Sequence, residues 1–320
     1  MPDVPGSFVR RHRLGAFYGL ALLIVCGVMA ASFALKAFGL LSDLLAFLQA
    51  HHLYPNVVTI GRFALGEPLA WLIFLFAAAP SLAALAVSLA ADGLPGARSL
   101  LARLSPFGPA ATRKDAVRAW GLLLGASAVV TAGYLWSVFA LGTPVQRSDV
   151  LATLGTAPLA VLAALLVGPF LDEGGLLEEL GWRGFALPLL LARGRGPFRA
   201  TALLAVLWWA WHLPREVTGL LAGAPIGRFL LVQAQFLLLC LALSIVITFF
   251  WQKTGGSALT GVFIHGVTNV WSKALSGPLN EKLGTDSRTL VVLAAALVVL
   301  LVGGRALGRP TATPSGESVP

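Results

Sequence analysis

Charged residues are scarce in this sequence, and their scarcity excludes a soluble globular protein. Only 12% of the 320 residues are charged, whereas 57% are hydrophobic and the mean hydropathy is +0.83. A soluble domain carries about 25% charged residues, roughly twice the fraction found here. A water-soluble fold of 320 residues would not bury this much apolar surface in its core. The sequence therefore predicts an integral, multi-pass membrane protein, and the lipid bilayer is its first expected partner.

Cysteine is also rare. Cys26 and Cys240 stand singly inside apolar stretches and no CxxC is present, which argues against a disulfide framework or a thiolate metal site. The net charge of +9 comes from basic clusters between apolar runs, where membrane topology places them. We therefore expect no nucleic-acid partner. The composition favours a bacterial protein of the cytoplasmic membrane.

Several motifs of membrane enzymes and pumps are missing. There is no HExxH, so the zincin arrangement of two histidines on one helix face is absent. Gly256-Ser257-Ala258 lacks the final glycine of the GxSG pattern of rhomboid-type serine proteases, and no GxGD of aspartyl intramembrane proteases occurs. A glycine-rich phosphate loop is absent as well, which argues against an energy-coupled pump.

Long apolar runs are abundant, and a span needs about 20 apolar residues. They predict an all-α, polytopic transmembrane bundle of about eight spans. The candidate spans are 14–35, 68–92, 119–141, 155–191 (interrupted), 200–221, 229–251, 256–272 and 289–304. With the N-terminus inside, 14 of the 23 basic residues fall in inner segments, so both termini are predicted to be cytoplasmic.

This pattern divides the chain into four parts. We predict a cytoplasmic N-terminal tail (1–13), N-terminal transmembrane helices (14–150), a transmembrane core (151–304) that holds the candidate site described below, and a disordered cytoplasmic tail (305–320). The first span resembles a signal peptide, but its charge-free run exceeds the usual core of about 7–15 residues, which favours a retained helix. Residues 38–50 predict a short amphipathic helix at the interface.

Three predicted spans carry ionisable or amide side chains. Each ionisable side chain raises the free energy of membrane insertion by about 2.5–3.5 kcal/mol on insertion scales. The fourth span holds Glu178, Glu179 and Arg183, the fifth holds His212, and the seventh holds His265 and Asn269. At about 1.5 Å per residue, Glu178, His212 and His265 lie roughly 14–20 Å from the inner ends of their spans. This similar depth predicts that they form one site.

Helical spacing assigns a role to the acidic span. Glu179 and Arg183 are four residues apart and are expected to pair, which leaves Glu178 facing a cavity as a general base. Trp182, four residues after Glu178, is expected to wall that side. Asp172 and Glu173, followed by two glycines, indicate a helix break exposed to water and outside the chemistry.

The seventh span offers two hydrogen-bond donors. His265 and Asn269 share one helix face, so both are expected to bond one oxygen as oxyanion donors do. Taken singly, each element has a plainer interpretation. Glu179 with Arg183 would be a structural ion pair, His212 a packing residue, and His265 with Asn269 a bridge between helices. Their conjunction favours a catalytic site.

The motifs in these three spans resemble those of a known protein family. Glu178-Glu179-Leu180-Gly181-Trp182-Arg183-Gly184 is similar to the EExxxR signature, in its EExxWRG form, of the CPBP family of type II CAAX prenyl proteases and bacteriocin-processing proteins. The FxxxH motif is matched by Trp208 to His212, with tryptophan in place of phenylalanine. HxxxN is matched by His265 to Asn269. The matched region covers about 155–275, and we interpret the change at Trp208 as one of helix packing.

The resemblance implies a membrane endopeptidase, a hydrolase with a helical-bundle fold and a catalytic cavity open to the cytoplasm. Carried over, Glu178 and His212 activate water, His265 and Asn269 stabilise the oxyanion, and Glu179 and Arg183 support them. Its substrate would be a membrane protein or peptide.

Two questions stay open at the level of sequence. Glu178, His212 and His265 are also suitable zinc ligands, although metal-free general-base catalysis is favoured slightly. The alternative functions are a catalytically silent scaffold or bacteriocin-immunity protein that binds a partner and, less favoured, a transporter.

Overall fold

The computed structural model describes residues 5–37, 56–67, 70–283 and 286–308, and every regular element in these ranges is helical. The predicted all-α fold is thus confirmed. The helices are α1 (Pro5–Arg11), α2 (Arg13–Ala37), α3 (Val57–Gly66), α4 (Trp71–Ala102), α5 (Arg113–Leu141), α6 (Pro144–Thr156), α7 (Pro158–Leu171), α8 (Glu173–Glu179), a π-helical segment (Leu180–Ala186), α9 (Leu187–Ala192), α10 (Pro197–Leu221), α11 (Ile226–Lys253), α12 (Leu259–Leu275), α13 (Gly277–Leu283), α14 (Ser287–Gly303) and a 3₁₀ turn (Gly304–Ala306).

Five helices in the described part of the chain are long and apolar enough to cross a membrane. They are Arg13–Leu35, Trp71–Ala102, Arg113–Leu141, Ile226–Lys253 and Ser287–Ala306. The other three predicted spans are helical too but fall short of this combination of length and hydropathy; they correspond to α7–α9, α10 and α12. The count of eight spans and the cytoplasmic termini stay predictions.

Some predictions concern the ends of the chain. The predicted first span is one continuous helix, α2, and part of the predicted polar tail before it forms α1. The predicted interfacial helix at 38–50 lies outside the described residues, as does most of the predicted C-terminal tail.

The predicted interruption of the fourth span occurs at Asp172. This residue leaves helical geometry (φ −59°, ψ 129°), and its carboxylate accepts a hydrogen bond from the backbone N–H of Gly175 at 2.8 Å. Asp172 thus ends α7 and caps the first turn of α8. The expectation of a water-exposed break is wrong for Asp172, which is fully buried, whereas Glu173 is half-buried and lines the cavity described below.

The glycines of the EELGWRG stretch let this segment lie directly against α4. A Cβ on Gly181 would come within 2.5 Å of the Pro80 carbonyl, and one on Gly184 would lie 3.3 Å from Leu100 Cδ1. The helix is wider here than an α-helix, since the N–H of Leu187 donates to the carbonyl of Trp182, five residues back. Such π-helical turns are frequent at functional sites.

The π-helical segment directs Trp182 into the core and away from the predicted site. Trp182 is fully buried and packs edge-on against Phe17 and Trp211, with ring centroids 5.4 and 5.9 Å away. It does not line the cavity that Glu178 faces. The prediction that Trp182 walls Glu178 is therefore wrong, because the aromatic cluster of α2 and α10 takes up its ring.

Candidate active site

A cavity of about 650 Å³ lies among α2, α4, α8, α10, α11, α12 and α14. Four of the six predicted site residues line it, namely Glu178, His212, His265 and Asn269. The other two, Glu179 and Arg183, lie behind its wall and are fully buried. The structure thus brings the three motifs together, from helices far apart in the sequence.

Glu178 faces the cavity, as predicted, but its hydrogen-bond partner was not foreseen. Its Oε2 accepts the indole N–H of Trp208 at 2.8 Å. Both residues are buried, with 5% and 3% of their surface exposed. Trp208 is the position at which the second motif departs from phenylalanine, so the interpretation of that change as one of packing alone is wrong. Phenylalanine has no N–H to donate.

Trp208 also contacts the other two motifs. The guanidinium carbon of Arg183 lies 4.5 Å from its ring centroid, which is a cation–π geometry. The His265 ring meets it edge-on at 5.1 Å between centroids. One side chain thus touches the acid, the arginine and the histidine of the site. Sequence reasoning missed this role, although the departure from the motif marked the position.

Glu179 is the buried centre of a second network. Its Oε1 accepts from Arg183 Nη1 at 2.6 Å and from His265 Nδ1 at 3.0 Å. Arg183 Nη2 in turn donates to Ser244 Oγ at 3.0 Å. The predicted pairing of Glu179 with Arg183 is present, and it also orients a histidine from another helix. Ser244 was not foreseen.

Both cavity histidines are hydrogen-bonded through Nδ1. His212 Nδ1 lies 2.9 Å from the backbone carbonyl of Trp208, and His265 Nδ1 lies 3.0 Å from Glu179. An N–H at Nδ1 bonded to an acceptor fixes the tautomer and leaves Nε2 as the atom for chemistry. Both rings are therefore held for use through Nε2.

Asn269 is held by an acid that sequence reasoning excluded from the site. Its Nδ2 donates to Asp172 Oδ2 at 3.0 Å, the same oxygen that caps α8. Asp172 thus links the start of the acidic helix to the third motif. The clue in the sequence was an aspartate at the interruption of the fourth span, because aspartate is a preferred residue at the start of a helix.

Glycines allow α12 to come close to α7 and α8. A Cβ on Gly174 would lie 3.2 Å from His265 Nε2 and Cε1, and one on Gly266 would lie 1.9 Å from the Pro169 carbonyl oxygen. A Cβ on Gly261 would come within 2.6 Å of Glu179 Oε2. The depth of the two carboxylates and of His265 thus depends on the absence of side chains at these positions.

The residues do not form an evident metal site. No group of three His, Cys, Asp or Glu side chains within the described ranges is arranged to hold a metal ion. Glu178 Oε2 and the Nδ1 atoms of both histidines are already bonded within the protein, so Glu178 Oε1 and the two Nε2 atoms are the atoms that would face water or an ion in the cavity.

The cavity extends from the buried network to residues near one end of the bundle. Its rim includes exposed or half-exposed residues at the end of α2, the start of α4, the end of α10 and the starts of α11 and α14. They include Ser32, Leu72, Arg215, Val232, Gln235 and Arg288.

The fold and the site define a helical membrane protein with a buried acid–histidine cluster. Residues 153–271 match the family described as type II CAAX prenyl endopeptidase Rce1-like. The chain is also similar to "CAAX prenyl protease 2" of Methanococcus maripaludis, with 28% identity over 123 residues. That match covers 38% of this chain and 45% of the relative's length. The family prediction from the three motifs is confirmed: this chain carries a CPBP-family, type II CAAX protease-like region.

Proposed function

We propose that this protein is an intramembrane endopeptidase that hydrolyses a peptide bond of a membrane-associated protein or peptide. The observation that carries the proposal is the position of Glu178 beside two histidines in one cavity, with each histidine held through Nδ1. The family match over 153–271 supports the same reaction class.

Glu178 is proposed as the general base. It accepts a proton from a water molecule while the water oxygen attacks the carbonyl carbon of the scissile bond. The indole N–H of Trp208 on Oε2 fixes the carboxylate and leaves Oε1 for water. His212, through Nε2, is proposed to hold the same water. Positioned general-base catalysis contributes about 10²–10⁴-fold.

His265 and Asn269 are proposed as donors to the oxyanion that forms on the carbonyl oxygen. With Nδ1–H donated to Glu179, a protonated His265 would offer Nε2–H to this oxygen. The four groups Glu178, Glu179, Arg183 and His265 then carry two negative and two positive charges, which avoids an unpaired buried charge. An oxyanion donor of this kind is worth about 2.7–4 kcal/mol.

The intermediate collapses when the C–N bond breaks. Glu178 returns its proton to the leaving nitrogen, so the products are a carboxylic acid and an amine and the base is restored. The acid then transfers its proton to the amine, which gives a carboxylate and an ammonium group. Glu179 and Arg183 take no proton in this scheme. They are positioning residues that orient His265 and brace Trp208.

The test compares membranes that contain the wild-type protein or Glu178→Ala, by mass spectrometry of peptide termini in cells without the native copy. We expect termini that appear only with the wild type, which would also identify the substrate. Comparable amounts of folded protein in both membranes are the control. Identical termini, with a normal phenotype for the variant, would contradict proteolysis and favour a partner-binding protein.

A further inference from the structure

A second cavity lies on the lateral surface of the helical bundle and contains none of the predicted site residues. It has a volume of about 590 Å³ and is lined by side chains of α5, α11, α12 and α14. The lining residues of α11, such as Leu243 and Phe250, are buried, whereas Val129 of α5 and Val302 of α14 are largely exposed. The buried residues thus form the base of a groove between two exposed helices, and we call this cavity the lateral groove.

The lateral groove is apolar over most of its length. Ser127 is the one polar side chain near its middle, and the other polar side chains, those of Tyr134, Thr268 and Arg288, lie towards one end. Along α5 the groove runs from Leu122 to Tyr134, about 18 Å at about 1.5 Å per residue. This length is roughly half of the hydrocarbon core of about 30 Å. The groove therefore matches the depth of one lipid leaflet.

The volume of the lateral groove favours a single hydrocarbon chain over a further helix. A helix with its side chains is about 10 Å across, so a helical segment as long as the groove would occupy on the order of 1,300 Å³. The groove provides about 590 Å³. An extended aliphatic chain is thinner than a helix and has no polar backbone groups that would need partners.

The end of the lateral groove opposite Tyr134 carries one basic residue from each of three segments. They are Arg118, Lys253 and Arg305, and each lies three or four residues beyond the outermost groove-lining residue of its segment, a spacing that keeps it on the same side. The Lys253 ammonium lies 4.8 Å from the ring centroid of Phe249, which itself lines the groove. Arg118 keeps 69% of its side chain exposed beside Asp115, and Arg305 is exposed as well.

Hydrogen bonds between loops hold these three segments together. The N–H of Gly108, ahead of α5, donates to the carbonyl of Thr254 at 2.8 Å, directly after α11. Gln252 donates through Nε2 to the carbonyl of Leu307 at 2.8 Å, directly after the 3₁₀ turn that follows α14. The start of α5 and the ends of α11 and α14 therefore meet, and their positive charges lie at one end of an apolar groove.

We propose that the lateral groove binds one anionic glycerophospholipid of the bilayer. An acyl chain lies in the groove, and the phosphate lies among Arg118, Lys253 and Arg305. Basic pockets between transmembrane helices recognise anionic lipid head groups, and here the charges stand where a chain of one leaflet would begin. The site uses no residue of the acid–histidine cluster, so the proposal goes beyond proteolysis and does not depend on it.

The test measures lipid binding to the full-length protein in detergent. Phosphatidylglycerol is the anionic probe, and phosphatidylcholine with the same acyl chains is the zwitterionic probe. Native mass spectrometry gives the affinity of each lipid. Thermal unfolding gives the stabilisation, because a ligand that binds only the folded protein raises its melting temperature. We expect phosphatidylglycerol to bind at least about tenfold more tightly than phosphatidylcholine, and equal binding of the two would overturn the proposal.

The head-group contacts are tested by neutralising charges. Lys253→Gln combined with Arg305→Gln should remove most of the preference for phosphatidylglycerol. The matched control combines Arg193→Gln with Arg195→Gln, which removes two charges from the exposed turn after α9 and should keep the preference. Equal losses in the two double variants would show a general effect of net charge and would contradict a specific site.

The chain contact is tested by filling the groove. Ala126 of α5 is exposed and lines the groove, whereas the exposed Ala128 on the same helix lies outside it. Ala126→Phe should weaken the binding of both lipids several-fold, and Ala128→Phe should leave it unchanged. Wild-type lipid binding by Ala126→Phe would overturn the proposal. Neither measurement needs catalytic activity, so a failure here is distinct from a failure of the Glu178→Ala comparison.

Discussion

Trp208 donates its indole N–H to Glu178 Oε2 at 2.8 Å, and this bond joins the second motif to the acid of the first. Phenylalanine, which the family pattern has at this position, would pack in the same place without the bond. A buried hydrogen bond to a charged group is worth about 1.5–3 kcal/mol. The orientation of the proposed base thus depends on a residue that departs from the family pattern.

Trp208→Phe should lower kcat for peptide cleavage about tenfold or more, because the Glu178 carboxylate loses the donor that fixes it. The melting temperature should fall as well, because the smaller ring loses the bond and leaves a gap, so kcat is compared per folded molecule. The matched control is Trp209→Phe on the same helix, which removes an indole bond to Gln233 instead. Equal activity losses in the two variants would show that the Glu178 bond has no special role.

Gly174→Ala should reduce activity while the protein stays folded. The new methyl group would lie 3.2 Å from His265 Nε2, so the ring must shift by a few tenths of an ångström. Misplacement by about 1 Å can cost about 100-fold, and we expect about a tenfold loss here. Gly219→Ala, which meets no atom within 4 Å, is the control and should retain wild-type activity. An unchanged rate in Gly174→Ala would contradict a catalytic position for His265.

Gly266→Ala should act on stability. Its Cβ would overlap the Pro169 carbonyl oxygen at 1.9 Å, and backbone has little room to give way. Overpacking of this kind costs about 1–3 kcal/mol. A thermal-shift measurement in detergent should show a lowered melting temperature, again with Gly219→Ala for comparison. A melting temperature equal to that of the wild type would mean that α12 does not pack so closely on α7.

Asp172→Ala should lower both stability and activity, because one carboxylate oxygen caps α8 and holds Asn269. Loss of a helix cap costs about 0.5–2 kcal/mol. Thr112→Ala removes a cap from α5, away from the cavity, and should lower only stability. The two variants therefore separate a capping effect from an effect on Asn269. Full activity of Asp172→Ala per folded molecule would remove Asp172 from the site.

Chelation tests the metal question directly. The proposed route uses only side chains of this chain, so cleavage by the purified protein should survive incubation with 1,10-phenanthroline. Loss of activity that is restored by added zinc would contradict the metal-free route and assign a ligand role to the Nε2 atoms. The metal content of the purified protein, measured in parallel, distinguishes removal of a bound ion from direct inhibition.

Much of the site could be predicted from sequence because ionisable side chains are unusual within apolar spans. Carboxylates, arginine and histidine in apolar spans have few explanations other than a buried site. The spacing of Glu179 and Arg183 is sufficient to predict their ion pair, which the structure has at 2.6 Å. The clustering of Glu178, His212 and His265 was predicted from their similar depth in three spans and from the conjunction of the three motifs.

Other features depended on which helices pack together. Trp182 and Trp208 both lie within a sequence motif. Trp182 nevertheless packs into the aromatic cluster of α2 and α10, whereas Trp208 donates a hydrogen bond to Glu178. Asp172 was expected in water and is fully buried. Period and hydropathy do not distinguish these outcomes, because they describe one helix at a time.

The sequence by itself determined that this chain is a helical membrane protein with an acid and two histidines at one depth. That information is local, since hydropathy, helical period and charge bias are properties of short segments. Only the tertiary structure decided which atoms meet, which tryptophan bonds the proposed base and which helices line the cavity. Those facts depend on contacts between α8, α10, α11 and α12, and the close approach of these helices has no signature in any one of them.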